Sequence, residues 1–134
     1  MESANSPDVL LIGAEWPQRA LLRAELIEAG FQVAAIDAWP IPGRYLRTGM
    51  TPRVAIVDLR GLPEPRVVLD ELPFVLPPDQ VLVITALGTV PVTDIRRMGY
   101  HAIGRPTTVH DVVAGVARLL RTHSNTRPPV GVGR

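Results

Sequence analysis

Cysteine is absent from the 134-residue sequence. That excludes disulfides, thiolate nucleophiles and Cys-ligated metal sites, and it removes any need for an oxidising compartment. Lysine is absent as well: all 14 basic residues are arginine, beside plentiful Ala, Val, Gly and Pro, a composition that points to a GC-rich coding background and a bacterial source. Net charge is nearly absent, at +1 with no asymmetry between the halves, so no field draws the chain to a phosphate backbone, and direct nucleic-acid binding is not expected. No apolar run approaches the ~20 residues of a membrane span. The opening Met-Glu-Ser-Ala-Asn-Ser-Pro-Asp is polar and acidic, unlike a signal peptide. A soluble, cytoplasmic chain of one compact domain is the expectation.

What is present is a regular alternation of short apolar runs and helical patterns. Val9-Leu10-Leu11-Ile12 is continuous and ends at Gly13, as suits a parallel strand buried on both faces. Pro17 can open a helix, Leu22, Leu26 and Ala29 recur at helical spacing, and Gly30 can close it, which predicts a helix over about 17–29. Phe31 to Ile36 reads as a second strand. Trp39-Pro40-Ile41-Pro42-Gly43 then leaves room for only a short helix around Arg44 to Thr48. Arg53 to Val57 is a third strand ending at Asp58, and Glu64 to Leu72 a further helix. Val81 to Ile84 is a fourth strand ending at Thr85, Thr93 to Met98 a short helix, and Tyr100 to Ile103 a fifth strand. The last helix carries one apolar stripe through Val109, Val112, Val113, Val116 and Leu120, with Thr108 and Asp111 at capping-box spacing.

Residues 1–7 are expected to be flexible, 8–122 to form the domain, and 123–134 to be a disordered tail, because that polar, Pro-Pro-containing segment buries too little to offset its ordering entropy. Alternating strands and helices predict an α/β fold: a five-stranded parallel sheet in a doubly wound three-layer sandwich. In such sheets, function gathers beyond the C-terminal strand ends. Here those ends carry Gly13 to Glu15, Asp58, Thr85 and Arg105.

The residues at those ends carry a resemblance. Val9 to Glu15, followed by Arg19, Leu22, Leu26, Gly30, Phe31 and Val33, resembles the opening of a bacterial response-regulator receiver domain of the CheY-like, flavodoxin-like type. Val54-Ala55-Ile56-Val57-Asp58 resembles the strand ending in that family's phosphoacceptor aspartate. Val83-Ile84-Thr85-Ala86 resembles its Thr-Ala strand end, and Arg105-Pro106 stands where the family has Lys-Pro. The similarity spans residues 8 to 121. It implies two-component signalling or phosphorelay chemistry at Asp58, a cis peptide before Pro106, and a partner-binding face on the last helix-strand-helix segment.

The departures bear on function more than the matches do. The family's two acids after the first strand bind Mg²⁺, and here those positions are Gly13 and Ala14, which cannot coordinate a metal. Mg²⁺ needs oxygen ligands in near-octahedral geometry, and phosphoryl transfer depends on electrostatic stabilisation, so a main catalytic element is missing. Arg105 keeps the lysine's charge with a larger planar fork. Ala102 replaces the family's aromatic switch residue, with Tyr100 two residues earlier on the same side of the strand.

Each candidate also has a plain structural reading. Asp58 is either a phosphoacceptor or a strand-end carboxylate that caps a turn or pairs with Arg105. Thr85 either contacts a phosphoryl oxygen or bonds to backbone. His101, His110 and His123 are too scattered for a metal site. Gly13 lacks the further glycines of a dinucleotide-binding loop, and no nucleophile elbow occurs. Arg96, Arg97, His101, Arg118 and Arg121 are either an ordinary solvated face or a contact patch.

The sequence therefore predicts a pseudo-receiver acting through protein contacts. It is expected to be no enzyme and to need no cofactor, with another signalling protein or a second copy, as a homodimer through the last helix-strand-helix face, as its partner. Two alternatives remain open: a working phosphoacceptor at Asp58 with Mg²⁺ held by Glu15 or water, and a small ligand-binding or enzymatic α/β domain. The chain is also compatible with being a fragment of a longer protein.

Overall fold

A computed structural model describes residues 8–14, 19–36, 39, 52–86, 88–104 and 108–126, the last five of these by backbone alone. The elements run β1 (Val9–Ile12), α1 (Ala20–Glu28), β2 (Val33–Ile36), β3 (Val54–Asp58), α2 (Pro65–Glu71), β4 (Val81–Ile84), α3 (Val92–Arg97), β5 (His101–Ile103) and α4 (Val109–Thr126). Short 3₁₀ turns at Leu72–Phe74 and Pro78–Gln80 connect α2 to β4. All strand pairs are parallel, in the order β2-β1-β3-β4-β5. This is the strand order of flavodoxin-like doubly wound sheets.

The strands are continuous apolar runs because both faces of the sheet are covered. Alternate side chains go to opposite layers. On β1, Leu10 and Ile12 join Val57, Val68, Leu69, Leu72 and Ile95, whereas Val9 and Leu11 join Leu22, Leu26, Ile56, Val112 and Val116. The first layer is thus capped by α2 and α3, the second by α1 and α4. Each fully buried Leu, Ile or Val contributes about 1.5–3 kcal/mol of transfer free energy, and all four residues of β1 are completely buried.

Glycine stop signals deliver two of the strands. At the end of α1 the Phe31 N–H donates to the Leu26 carbonyl and the Gly30 N–H to that of Ile27; at the end of α3, Tyr100 donates to Ile95 and Gly99 to Arg96. These paired bonds form Schellman motifs, which need a left-handed residue, and Gly30 and Gly99 have φ of +100° and +99°. The motif at α1 also explains why β2 begins at Val33 rather than at Phe31. Phe31 and Gln32 turn the chain, and the Gln32 carbonyl and N–H both bond to Asp8.

The predicted capping box is formed at α4: the Asp111 N–H donates to Thr108 Oγ1 and the Thr108 N–H to Asp111 Oδ2, both at 3.1 Å. That helix corrects the expected tail boundary. It continues through Thr126, so residues 123–126 are helical rather than part of a disordered tail. Extending an existing helix gains one bond per residue fixed, so polarity alone does not stop it. The expected helix around Arg44 to Thr48 lies outside the described residues, as do Pro17 and residues 1–7 and 127–134.

Candidate functional site

Beyond the C-terminal ends of β1 and β3, the chain places Gly13 against Asp58. Both are buried, and a Cβ built on Gly13 would stand 3.2 Å from that of Asp58. The first of the two metal-ligand positions implied by the resemblance is thus beside the aspartate, but it carries no side chain. Ala14 follows at the rim, where it meets the turn after β3: a Cβ on Gly61 would approach that of Ala14 to 2.9 Å. Gly61 also has φ +81°, so both sterics and backbone conformation require glycine there.

The turn exists to close on Asp58. Leu59 donates to the Ile84 carbonyl, and the Arg60 N–H donates to Asp58 Oδ1 at 3.0 Å, an Asx-turn bond. The Arg60 guanidinium then folds back, donating from Nε to Oδ1 at 2.8 Å and from Nη2 to Oδ2 at 2.6 Å. The result is a bidentate, charge-assisted fork, the stronger form of side-chain hydrogen bond. Asp58 is 4% exposed, and a polar group buried to that degree is costly unless it is hydrogen-bonded. Asp58 holds the Arg60 guanidinium above its ordinary pKa range, mainly through the hydrogen bond, with burial opposing and charge attraction adding a smaller rise.

Arg60 is therefore the partner that the structure describes for Asp58, where the sequence suggested Arg105. Arg105, Pro106 and Glu15 lie outside the described residues. Arg60 was overlooked because an i,i+2 pair has no periodicity to reveal it. The available signal was local: Asp58-Leu59-Arg60-Gly61 places a fork donor and a turn glycine directly after a buried strand.

The other strand-end residues are tied down internally. The Thr85 hydroxyl donates to the Ile103 carbonyl at 3.2 Å, and its N–H donates to the same oxygen. Ala102 is half-buried against the α2–α3 layer. Tyr100 is 4% exposed, with its hydroxyl donating to the Leu69 carbonyl on α2. Burial first, then the negative charge of Asp70, pushes the Tyr100 phenol up to about 12.

Mg²⁺, the ion implied by the resemblance, takes six oxygens in near-octahedral array. Among the described residues no group of three His, Cys, Asp or Glu side chains converges, and both oxygens of Asp58 are already engaged by Arg60. The described donor set does not fit the ion. A cleft of about 80 Å³ adjoins Arg60, walled by Leu21, Leu22, Ile84, Thr108, Val109 and Val112. Small-molecule sites are typically about 300–1,000 Å³, so this cleft gives no support to the ligand-binding or enzymatic alternative.

Arg96, Arg97, His101, Arg118 and Arg121 are all exposed. Arg97 pairs with Asp94 at 3.1 Å, and His101 Nε2 lies 3.1 Å from the Asp79 carbonyl. None of the five joins the Asp58 cluster. Among the described residues, no helix is long and apolar enough to cross a membrane.

No family model matches the sequence, and no curated protein matches it. Solved structures do. The receiver domain of NtrX from Brucella abortus is 22% identical with a TM-score of 0.69, covering 86% of this chain and 99% of that one. Full-length FixJ from B. japonicum is 20% identical with a TM-score of 0.67 over 85% of this chain; the match spans only 57% of FixJ. A structure described as adenylate cyclase from Rhodopirellula baltica is 16% identical with a TM-score of 0.70, covering 87% and 89%. At these identities the likeness concerns architecture, and the architecture of this chain is that of the response-regulator receiver domain.

Proposed function

We propose that this chain is an atypical receiver-like signalling module that acts through protein contacts and does not cycle through phosphorylation at Asp58. The observation that carries the reading is the Asp58–Arg60 fork, formed beside positions 13 and 14, which supply no carboxylate. A phosphoacceptor must present a free carboxylate oxygen to the donor in line, next to a cation that neutralises the equatorial oxygens. Here both oxygens are engaged and positions 13 and 14 carry no acid. The contacts would be made with another signalling protein or a second copy, through the exposed face of Arg96, Arg97, His101, Arg118 and Arg121, in the cytoplasm and without catalysis of its own.

The test is incubation of the full chain with Mg²⁺ and acetyl phosphate, followed by intact mass measurement. No gain in mass is expected. A gain of one phosphoryl group that requires Mg²⁺ and disappears in Asp58→Asn would overturn the reading in favour of the working phosphoacceptor.

A further inference from the structure

We infer that Arg60 is the resident cation of this site, a guanidinium standing in for a divalent ion and closing the Asp58 rim to metal. The inference deepens the proposed function and rests on Asp58 being no phosphoacceptor in the native chain. Three features of the rim support it. The fork engages both carboxylate oxygens, one of them twice, through Arg60 Nε, Nη2 and backbone N–H. Those three bonds take three of the roughly four lone-pair sites of the carboxylate, so a cation bridging both oxygens would have to displace part of the fork. The fork is also local, since partners two residues apart close almost no loop and Gly61 fixes the turn that presents the guanidinium.

The third feature is how the neighbours fit this occupant. Arg60 lines the cleft with Leu22, Ile84 and Val112, where its aliphatic stem finds apolar surface while its head reaches the carboxylate. Ala14 abuts Gly61 closely, so an acid at position 14 would stand beside the turn that carries the arginine. Position 13 has its Cβ direction directed at Asp58 at 3.2 Å. A guanidinium already in place makes acids at either position superfluous, and its charge repels an incoming divalent ion.

The experiment compares Mg²⁺ affinity, by calorimetry and by melting-temperature shift, in the native chain, in Ala14→Asp, and in Ala14→Asp combined with Arg60→Ala. The combined variant should bind Mg²⁺ at least about tenfold more tightly than Ala14→Asp, and Mg²⁺ should raise its melting temperature while leaving the native chain unmoved. Arg60→Gln in place of Arg60→Ala keeps the side-chain volume should the smaller residue prevent folding. Equal affinities with and without Arg60, saturable binding by the native chain, or no binding by either combined variant would each overturn the inference. These outcomes are separable from failure of the proposed function, which is read from phosphoryl mass on the unaltered chain and not from an affinity ratio.

Discussion

The centre of the sheet and its C-terminal rim obey different rules. At the centre, Leu10, Leu11, Ile56 and Ile84 are fully buried among other aliphatic side chains, and any residue of similar size and polarity would be accommodated at modest cost. At the rim, Asp58, Arg60, Gly61 and Thr85 each meet one specific partner. Asp58 has Arg60, Gly61 has the Ala14 methyl in front of it, and Thr85 has the Ile103 carbonyl. The centre makes the receiver architecture; the rim makes these polar groups satisfied without any outside ligand. That difference separates what builds the fold from what fixes the rim, since the two depend on separate interactions.

The largest effect should come from the centre. Leu10→Ala removes a fully buried side chain from the layer under α2 and α3, and should cost about 2–5 kcal/mol in urea-induced unfolding with the slope unchanged. Gly61→Ala should follow. It forces a side chain into φ +81° and against the Ala14 methyl at 2.9 Å, with about 1–2 kcal/mol from the backbone alone and more from the contact. Ala14→Gly in the same chain should recover the contact part and leave the backbone part. Full additivity of the two substitutions would show that the turn does not press on the β1 rim.

Arg60→Ala is expected next, at about 1–2 kcal/mol, less than the roughly 3–5 kcal/mol of a wholly buried pair because water screens the exposed part of the guanidinium. Its side chain is 30% exposed against 6% for Asp58. Asp58→Asn combined with Arg60→Ala should cost less than the sum of the two single substitutions, since no unpaired charge is then left behind. A zero coupling energy in that double-mutant cycle would remove the contrast between rim and centre at its most important point.

How much of this was legible in the sequence follows from the same contrast. The strands at the centre were readable because Val9 to Ile12 and Val81 to Ile84 are unbroken apolar runs bounded by Gly13 and Thr85, and burial on both faces leaves no other use for them. The α4 capping box was readable because Thr108 and Asp111 occupy fixed offsets. Gly13 and Ala14 could be recognised as missing acids only through the family resemblance. The fork had only the local signal of Arg60 and Gly61 after Asp58, and that signal does not decide it: whether Arg60 turns back onto Asp58 or out to solvent depends on the left-handed turn at Gly61 and on the apolar cleft lined by α1 and α4, elements far apart in the chain. The helical state of residues 123–126 was hidden for a related reason, since polarity near His123 says little about a helix that is already nucleated.

The smallest effect probes the opposite, N-terminal edge of the sheet, at Tyr100, the residue before β5. Tyr100→Phe keeps the buried ring but leaves the Leu69 carbonyl without its donor, at about 1 kcal/mol. The pH dependence separates this from a packing defect. Burial and Asp70 raise the phenol from 10.0 to about 12 in the folded chain, so between those values the native state keeps a proton that the unfolded state has released. Stability from this group is thus complete below pH 10 and declines as pH rises toward about 12. Measured in a Tyr45→Phe background, so that Tyr100 is the one tyrosine remaining, tyrosinate absorbance should titrate late and together with the loss of structure. Asp70→Asn should bring that titration to lower pH by a fraction of the whole shift, because charge is the lesser cause. An ordinary tyrosine titration in the folded chain would mean that the phenol reaches water, and that β5 is not pegged to α2 as firmly as Asp58 is to Arg60.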